Sequence, residues 1–289
     1  MATLRDILRK IGAVKKTQQI TRAMNMVAAA RLRTTQGKME NFEPYARKFT
    51  EVLENIAGRV EPDAHPLLVA RESVQRVELL HFTADRGLCG SFNMNSIAKA
   101  HAWVRERQAE GVECSLTLVG KKGRDYFRKR DINITAAHVN VYGSVDIAFT
   151  NQLTQGLIDR YLAGEIDEVY MLFSRFVSIV KQEPTLVKLM PIEPPRQEEH
   201  VETMAEYLYE PGAEELLIEL LPKHISVQLF NAFLQNEVSE NAARMAAMDN
   251  ATNNCRELIE NLTLVYNKAR QAAITAELMD IVGGAEALA

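Results

Sequence analysis

Cysteine is scarce in this chain and poorly spaced for chemistry. Cys89, Cys114 and Cys255 are odd in number and far apart, with no CxxC pair for zinc or redox work, so buried thiols are the expectation. The six histidines (His65, His81, His101, His138, His200 and His224) are equally dispersed, none in HExxH or at metal-ligand spacing, and no metal, cofactor or catalytic residue is expected. No apolar run approaches the roughly 18 residues that span a bilayer, and the polar N-terminus lacks the apolar core of a secretory signal. The expectation is an intracellular chain with no direct membrane insertion. Aromatic residues are few, and only Phe42 and Tyr45 accompany the basic N-terminal segment, where residues 1–48 hold eleven Lys or Arg against Asp6, Glu40 and Glu43. Without stacking platforms, Lys15, Lys16, Arg22, Arg31 and Arg33 do not read as a nucleic-acid site; they suit a solvated face or a docking face for acidic protein loops.

Glycine and proline are absent from Lys223 to Val282, a run too long to serve one small core as a helix. Within it Val238, Ala242, Met245, Met248, Thr252, Cys255, Ile259, Leu262, Tyr266, Ala269 and Ala273 recur at three- and four-residue steps, the mark of a coiled-coil seam. The first forty residues supply a second helix, with Leu4, Ile7, Leu8, Ile11, Val14, Ile20, Met24, Val27, Ala28 and Leu32 at helical spacing. Between the two ends, short apolar or β-branched runs (Val77–Phe82, Ser115–Val119, Val169–Phe173, Phe176–Val180) alternate with helical stretches. The expected fold is therefore α/β: a long antiparallel two-helix coiled coil formed by the N- and C-terminal helices, residues 1–60 and 205–289, with a Rossmann-like α/β domain inserted at 75–195. Such a rod suits mechanical or scaffolding work.

Several features invite a sharper reading. Asp85–Asn93 (DRGLCGSFN) follows an apolar strand and precedes a helical stretch, where phosphate-binding loops sit. Its spacing is neither GxGxxG nor GxxxxGK[ST], so both the backbone cradle and the phosphate-reaching lysine are missing. Gly120–Arg124 also follows a strand and could hold an anion, although a solvated basic turn is the plainer reading. His224, just after Pro222, reads as a surface residue at a helix start, and Pro222 as either a kink or a first-turn proline. Ala242, Ala243, Ala246, Ala247 and Ala251 allow close helix approach or simply favour helix. Glu193–Glu219 carries nine glutamates against Arg196, an acidic stretch leading into the long helix.

Three blocks of the chain resemble the gamma subunit family of rotary proton-translocating ATP synthases. They are Ile11–Leu32 (IGAVKKTQQITRAMNMVAAARL), Asp85–Asn93, and a C-terminal pair formed by Ser239–Asn254 (SENAARMAAMDNATNN) and the run Ile274-Thr275-Ala276-Glu277 through Asp280-Ile281 to Gly284–Leu288. The resemblance implies a central rotor shaft that couples proton flow through the membrane rotor ring to cycling of the catalytic beta subunits. The implied partners are the alpha and beta subunits, the epsilon subunit and the membrane c-subunit ring, with catalysis in beta. By the same resemblance, Met24, Arg31, Arg33, Arg244, Gln271, Thr275 and Glu277 would meet the catalytic ring, Tyr207 and Glu210 the rotor ring, and Ile281, Val282 and Leu288 an apical bearing. The chain lacks the dithiol insertion of the chloroplast form and starts without an Arg- and Ser-rich transit segment. A peripheral place on the cytoplasmic face of a bacterial plasma membrane is implied. A static coiled-coil scaffold and a nucleotide-binding enzyme stand as the alternatives.

Overall fold

A computed structural model describes residues 3–57, 65–143, 145–192 and 212–286. Helix α1 (Leu4–Ala57) and helix α5 (Ala213–Glu286) flank β1 (Arg76–Phe82), α2 (Phe92–Ala109), β2 (Glu113–Val119), α3 (Lys121–Phe127), β3 (Asn133–His138), α4 (Ile147–Leu162), β4 (Glu168–Phe176) and β5 (Gln182–Met190). The chain divides into two compact units: Met1–Ala29 with Arg244–Ala289, and Ala30–Ala243.

In the first unit the two helices run antiparallel. The Thr21 and Thr252 hydroxyls share a hydrogen bond of 2.8 Å, and Asn25 Nδ2 donates to the Met245 carbonyl at 2.9 Å. A polar group at one seam position fixes register, because a slip of one turn would strand it against apolar neighbours. On α5 the seam expected from sequence is the seam observed: from Asp249 on, Thr252, Cys255, Ile259, Leu262, Tyr266, Ala269 and Ala273 are half-buried while most of their neighbours are exposed. On α1 the buried or half-buried series is a strict heptad, Leu4, Ile7, Ile11, Val14, Gln18, Thr21, Asn25 and Ala28. Leu8, Ile20 and Val27 were expected on that face and lie outside it, each about half exposed or more. They share helical spacing with the seam but sit one position off it, Leu8 after Ile7, Ile20 before Thr21 and Val27 before Ala28, a distinction that apolar spacing alone does not make.

The second unit is a three-layer α/β body. Its sheet runs β3-β2-β1-β4-β5, with the first four strands parallel and β5 antiparallel. Parallel neighbours need crossover helices, which α2, α3 and α4 supply. One face of the sheet packs on α2 and α3 through Leu79, Ile97, Ala100, Val104, Leu116, Leu118 and Phe127. The other face carries Leu80, Phe82, Val169 and Met171 against Leu157, Ile158 and Tyr161 of α4, Leu53 and Ile56 of α1, and Leu217, Leu221, Ile225, Leu229 and Phe233 of α5. Fully burying each such side chain contributes roughly 1.5–3 kcal/mol. That sum lets α5 continue through Pro222, whose interior position would otherwise cost about 3 kcal/mol. Glu78, fully buried on β1, accepts from Thr117 Oγ1 at 2.5 Å and Ser115 Oγ at 3.2 Å, and pairs with Arg160 of α4 at 2.5 Å. This network ties α4 to strands β1 and β2.

One strand expectation is corrected. Phe176–Val180 is the end of β4 and its turn, with Val180 89% exposed, and Lys181 N donates back to the Ser178 carbonyl at 3.2 Å. The partner strand is β5, which carries Gln182, Glu183, Pro184 and Lys188 and so lacks an apolar signature. Its place at the sheet edge explains why such residues are tolerated there. His224 is not a surface residue either: it lies inside α5, only 5% exposed, with its ring stacked on Phe49 at 6.3 Å between centroids.

Candidate functional site

The mouth of the sheet, where a Rossmann-like fold would hold a phosphate, is filled by the chain itself. Asp85 follows β1, and its carboxylate Oδ1 accepts from the backbone N–H groups of Lys121 and Asn140, both at 3.0 Å. The next amides of α3 are also taken: Lys122 N donates to the Ala84 carbonyl at 3.1 Å and Gly123 N to Thr83 Oγ1 at 2.9 Å. A helix N-terminus attracts anions through these amides. Here a side chain of the protein is the anion. The approach requires glycine, because a Cβ at Gly120, where φ is +95°, would stand 2.0 Å from the Thr83 carbonyl oxygen. The Gly120–Arg124 segment is thus a closely packed helix start, not a solvated turn.

The rest of the Asp85–Asn93 loop is held from within. Asn93 Oδ1 accepts from Ala84 N at 2.9 Å, and Asn93 Nδ2 donates to Cys89 Sγ at 3.1 Å. Leu88 and Gly90 both take positive φ, and the buried Ala84, Cys89 and Phe92 form a small cluster with Ala243 of α5. The loop's chemistry is therefore spent on packing against the long helix. Among the described residues no group of three or more His, Cys, Asp or Glu could hold a metal ion. Cys89 and Cys114 are buried, and burial pushes the Cys114 thiol up to about 11. Cys255 is half-buried on the seam.

The residues expected at interfaces fall on different faces. Met24 is half-buried beside the seam of the two-helix unit, and Arg244 is half-buried on α5. Gln271 and Thr275 are exposed and, four residues apart, share one face; Glu277, two residues further along, points about 200° away. In the second unit Arg31 and Arg33 are both exposed, but their two-residue spacing also turns them to different sides of α1. Arg31 lies on the side of Glu237 of α5: burial raises the Glu237 pKa, while the charges of Lys38 and Arg31 oppose that rise. Ile281 and Val282 are exposed, Ile281 at 68%, and they continue a row of exposed apolar residues through Ile274, Leu278 and Met279. Tyr207, Glu210 and Leu288 lie outside the described residues.

The outer surface of the two-helix unit is consequently mixed. Exposed Arg5, Arg9, Lys10, Lys15, Lys16 and Arg22 share α1 with exposed Leu8, Ile20, Met26 and Val27. Exposed apolar side chains in this density, rimmed by charge, mark a surface that another protein covers. Sequence reading missed the role of Asp85 and the exposure of Leu8, Ile20 and Val27. The second was within reach, since a strict heptad count excludes all three.

Comparison with known proteins gives a consistent result. A family model described as ATP synthase matches residues 3–288. An ATP synthase gamma chain of Syntrophobacter fumaroxidans is 53% identical over 290 residues, covering 100% of this chain and 99% of that one. One from Syntrophus aciditrophicus is 50% identical over 291 residues with the same coverage. Among solved structures, a chain of the Euglena gracilis mitochondrial ATP synthase rotor matches with a TM-score of 0.63 at 20% identity, covering 94% of this chain and 98% of that chain. That last likeness speaks to the fold alone.

Proposed function

This chain belongs to the ATP synthase gamma-chain family, and from that premise we propose that it is the central rotor shaft, a non-catalytic subunit that turns ion flow through a membrane ring into cycling of the catalytic beta subunits. The observation that carries the reading is the two-helix unit, closed inward by the Thr21–Thr252 and Asn25–Met245 hydrogen bonds and left with exposed apolar side chains on both helices and exposed basic ones along α1. An asymmetric shaft inside a threefold ring makes three identical sites inequivalent. Each 1.4 kcal/mol of differential contact is then about a tenfold difference in nucleotide affinity between sites.

In this reading the shaft helices are residues 1–60 and 205–289, around a domain at 75–195. Met24, Arg31, Arg33, Arg244, Gln271, Thr275 and Glu277 meet alpha and beta subunits as the shaft passes. Exposed ion pairs worth roughly 0–1 kcal/mol each suit that passage, since they exchange from one beta subunit to the next without trapping the rotor. The exposed Ile281 and Val282, together with Leu288, serve as an apical bearing because apolar contacts carry no directional hydrogen bonds to break. Tyr207 and Glu210 belong to the foot that meets the c-ring, beside the epsilon subunit. No described helix is long and apolar enough to cross a membrane, which suits a peripheral place on the cytoplasmic face of a bacterial plasma membrane.

A cross-link tests the reading. In an assembled complex whose chain carries replacements of Cys89, Cys114 and Cys255, Met24→Cys joined by a disulfide to a cysteine in a beta-subunit acidic loop stops multisite ATP turnover, and reduction restores it. Bond formation requires Cα atoms within about 7 Å, so efficient linkage also locates the helix. A fully linked complex that hydrolyses ATP at the reduced rate and still pumps protons is a static scaffold, and the rotor reading fails.

A further inference from the structure

Strand β4 outruns its neighbour. Its pairing with β1 ends at His81 opposite Leu172, because β1 then turns toward β2, with Thr83 N donating to the Val119 carbonyl at 2.8 Å. On the other side, Ser174 stands opposite Pro184 of β5, which has no N–H to offer. The N–H and C=O of Ser174 therefore face the edge that β1 has left. Three side chains of α5 take their place: Asn236 Oδ1 accepts from Ser174 N at 3.2 Å, Ser239 Oγ donates to the Ser174 carbonyl at 2.9 Å, and Gln235 Oε1 accepts from Phe176 N at 2.9 Å. The amide nitrogen of Asn236 is used as well, with Nδ2 donating to the Tyr142 hydroxyl at 2.7 Å. Ser174, Asn236 and Ser239 are essentially inaccessible to solvent.

We propose that Gln235, Asn236 and Ser239 act as a substitute strand that locks the sheet to α5, and that this joint carries torsional load between the α/β body and the long helix. The proposal rests on the rotor reading. Apolar packing alone is non-directional and permits small sliding between layers. Directed hydrogen bonds to a buried backbone resist it, because a shear of an ångström or two breaks them and leaves buried polar groups unpaired. Three such bonds meeting two residues of one strand form a keyed joint. The wide apolar contact beside it, between the sheet and Ile225, Leu229 and Phe233 of α5, then supplies cohesion without having to supply alignment.

The test uses two variants of equal size at one position and reads two quantities in the assembled complex. Gln235→Glu keeps an acceptor oxygen for Phe176 N, whereas Gln235→Leu removes it; Asn236→Leu with Ser239→Ala removes the other two bonds. Since the double variant exposes a fully buried core site to misfolding, the half-buried Gln235 pair keeps the question answerable. Hydrogen exchange at the Phe176 amide is expected to quicken by about tenfold in Gln235→Leu and to stay near the parent rate in Gln235→Glu. The mechanical readout is the angular spread of a bead attached through Val180→Cys, with α1 held to beta by the Met24→Cys cross-link. That spread is expected to grow by roughly twofold in Gln235→Leu, with Gln235→Glu restoring it. Unchanged exchange overturns the joint itself. Faster exchange with unchanged angular spread leaves an ordinary clamp and overturns the mechanical role. A complex whose turnover ignores the Met24 cross-link sinks the rotor reading instead, while the exchange rates still report on the joint.

Discussion

The long helices live in two different environments. Within Ala30–Ala243 they meet a sheet and bury large side chains fully: Leu217, Leu221, Ile225, Leu229 and Phe233 on α5, with Leu53 and Ile56 on α1. Within the two-helix unit the deeply buried side chains are few, among them Ile7, Ile11, Ala28 and Met248, and much of the seam is small or polar. The same helices run through both, but the spacing and the depth of burial differ: the α5 residues named against the sheet step by four, and the seam alternates three and four. One length is built for cohesion and the other for alignment with little cohesion, which suits a segment whose outer surface must be covered by partners. Local opening should therefore begin in the two-helix unit.

The largest effect that would sharpen this contrast comes from Phe233, which makes edge contacts with Phe82 and Phe149. Phe233→Ala is expected to cost about 3–5 kcal/mol in chemical denaturation of the chain. A near-neutral result would mean that the sheet-bound length is no more cohesive than the free one.

Acid provides the next contrast, because every histidine of the chain lies between Ala30 and Ala243 and none in the two-helix unit. Burial holds His81 at about 3 and His224 at about 4, below the ordinary value of 6.5. Between those values the unfolded chain binds protons that the folded chain refuses. Stability is thus full above pH 6.5 and declines as pH falls toward 4, at up to roughly 1.4 kcal/mol per pH unit for each histidine. Amide exchange followed by mass spectrometry is expected to show acid sensitivity in the α/β body, reduced in His224→Gln, and little in residues 4–28. Equal sensitivity in both units would break the comparison.

Asn25→Leu is expected to cost only about 1 kcal/mol, the worth of one part-buried hydrogen bond. Its sharper mark is register: disulfides between cysteine pairs placed along α1 and α5 of the two-helix unit should form at slipped positions as well as matched ones. Matched pairs alone would show that apolar packing sets the alignment unaided.

The smallest stability effects fall on the exposed arginines. Arg33→Glu should change unfolding free energy by less than about 0.5 kcal/mol while weakening ATP-driven proton pumping in a salt-dependent way. Arg31→Glu acts differently, since it removes a charge that holds Glu237 down and adds one that raises it further. Normal pumping by both variants across ionic strengths would argue that neither meets an acidic partner.

What the sequence made legible follows from where physics leaves a periodic trace. The α5 seam was readable residue by residue, since a half-buried stripe on an otherwise exposed helix forces the three-four rhythm. Central strands β1 and β2 were readable because both faces are covered and the residues run apolar. The edge strands β3 and β5 were not, for an edge tolerates Thr135, Pro184 and Lys188. The interface residues rested on resemblance, and their directions around each helix required coordinates. The partners of Asn236 and Ser239 leave no trace in the sequence; only the early end of the β1 pairing reveals what they bind.

Asp85 gives the molecule a kind of deafness. A nucleotide fold ordinarily listens to the metabolite pool through the mouth of its sheet, and its stiffness then varies with what is bound there. With its own carboxylate seated on the Lys121 and Asn140 amides, this domain keeps one internal occupant at fixed concentration, whatever the energy state of the cell. A transmission part handling the synthesis of a nucleotide gains from that: its mechanical constants do not drift with the product it helps to make.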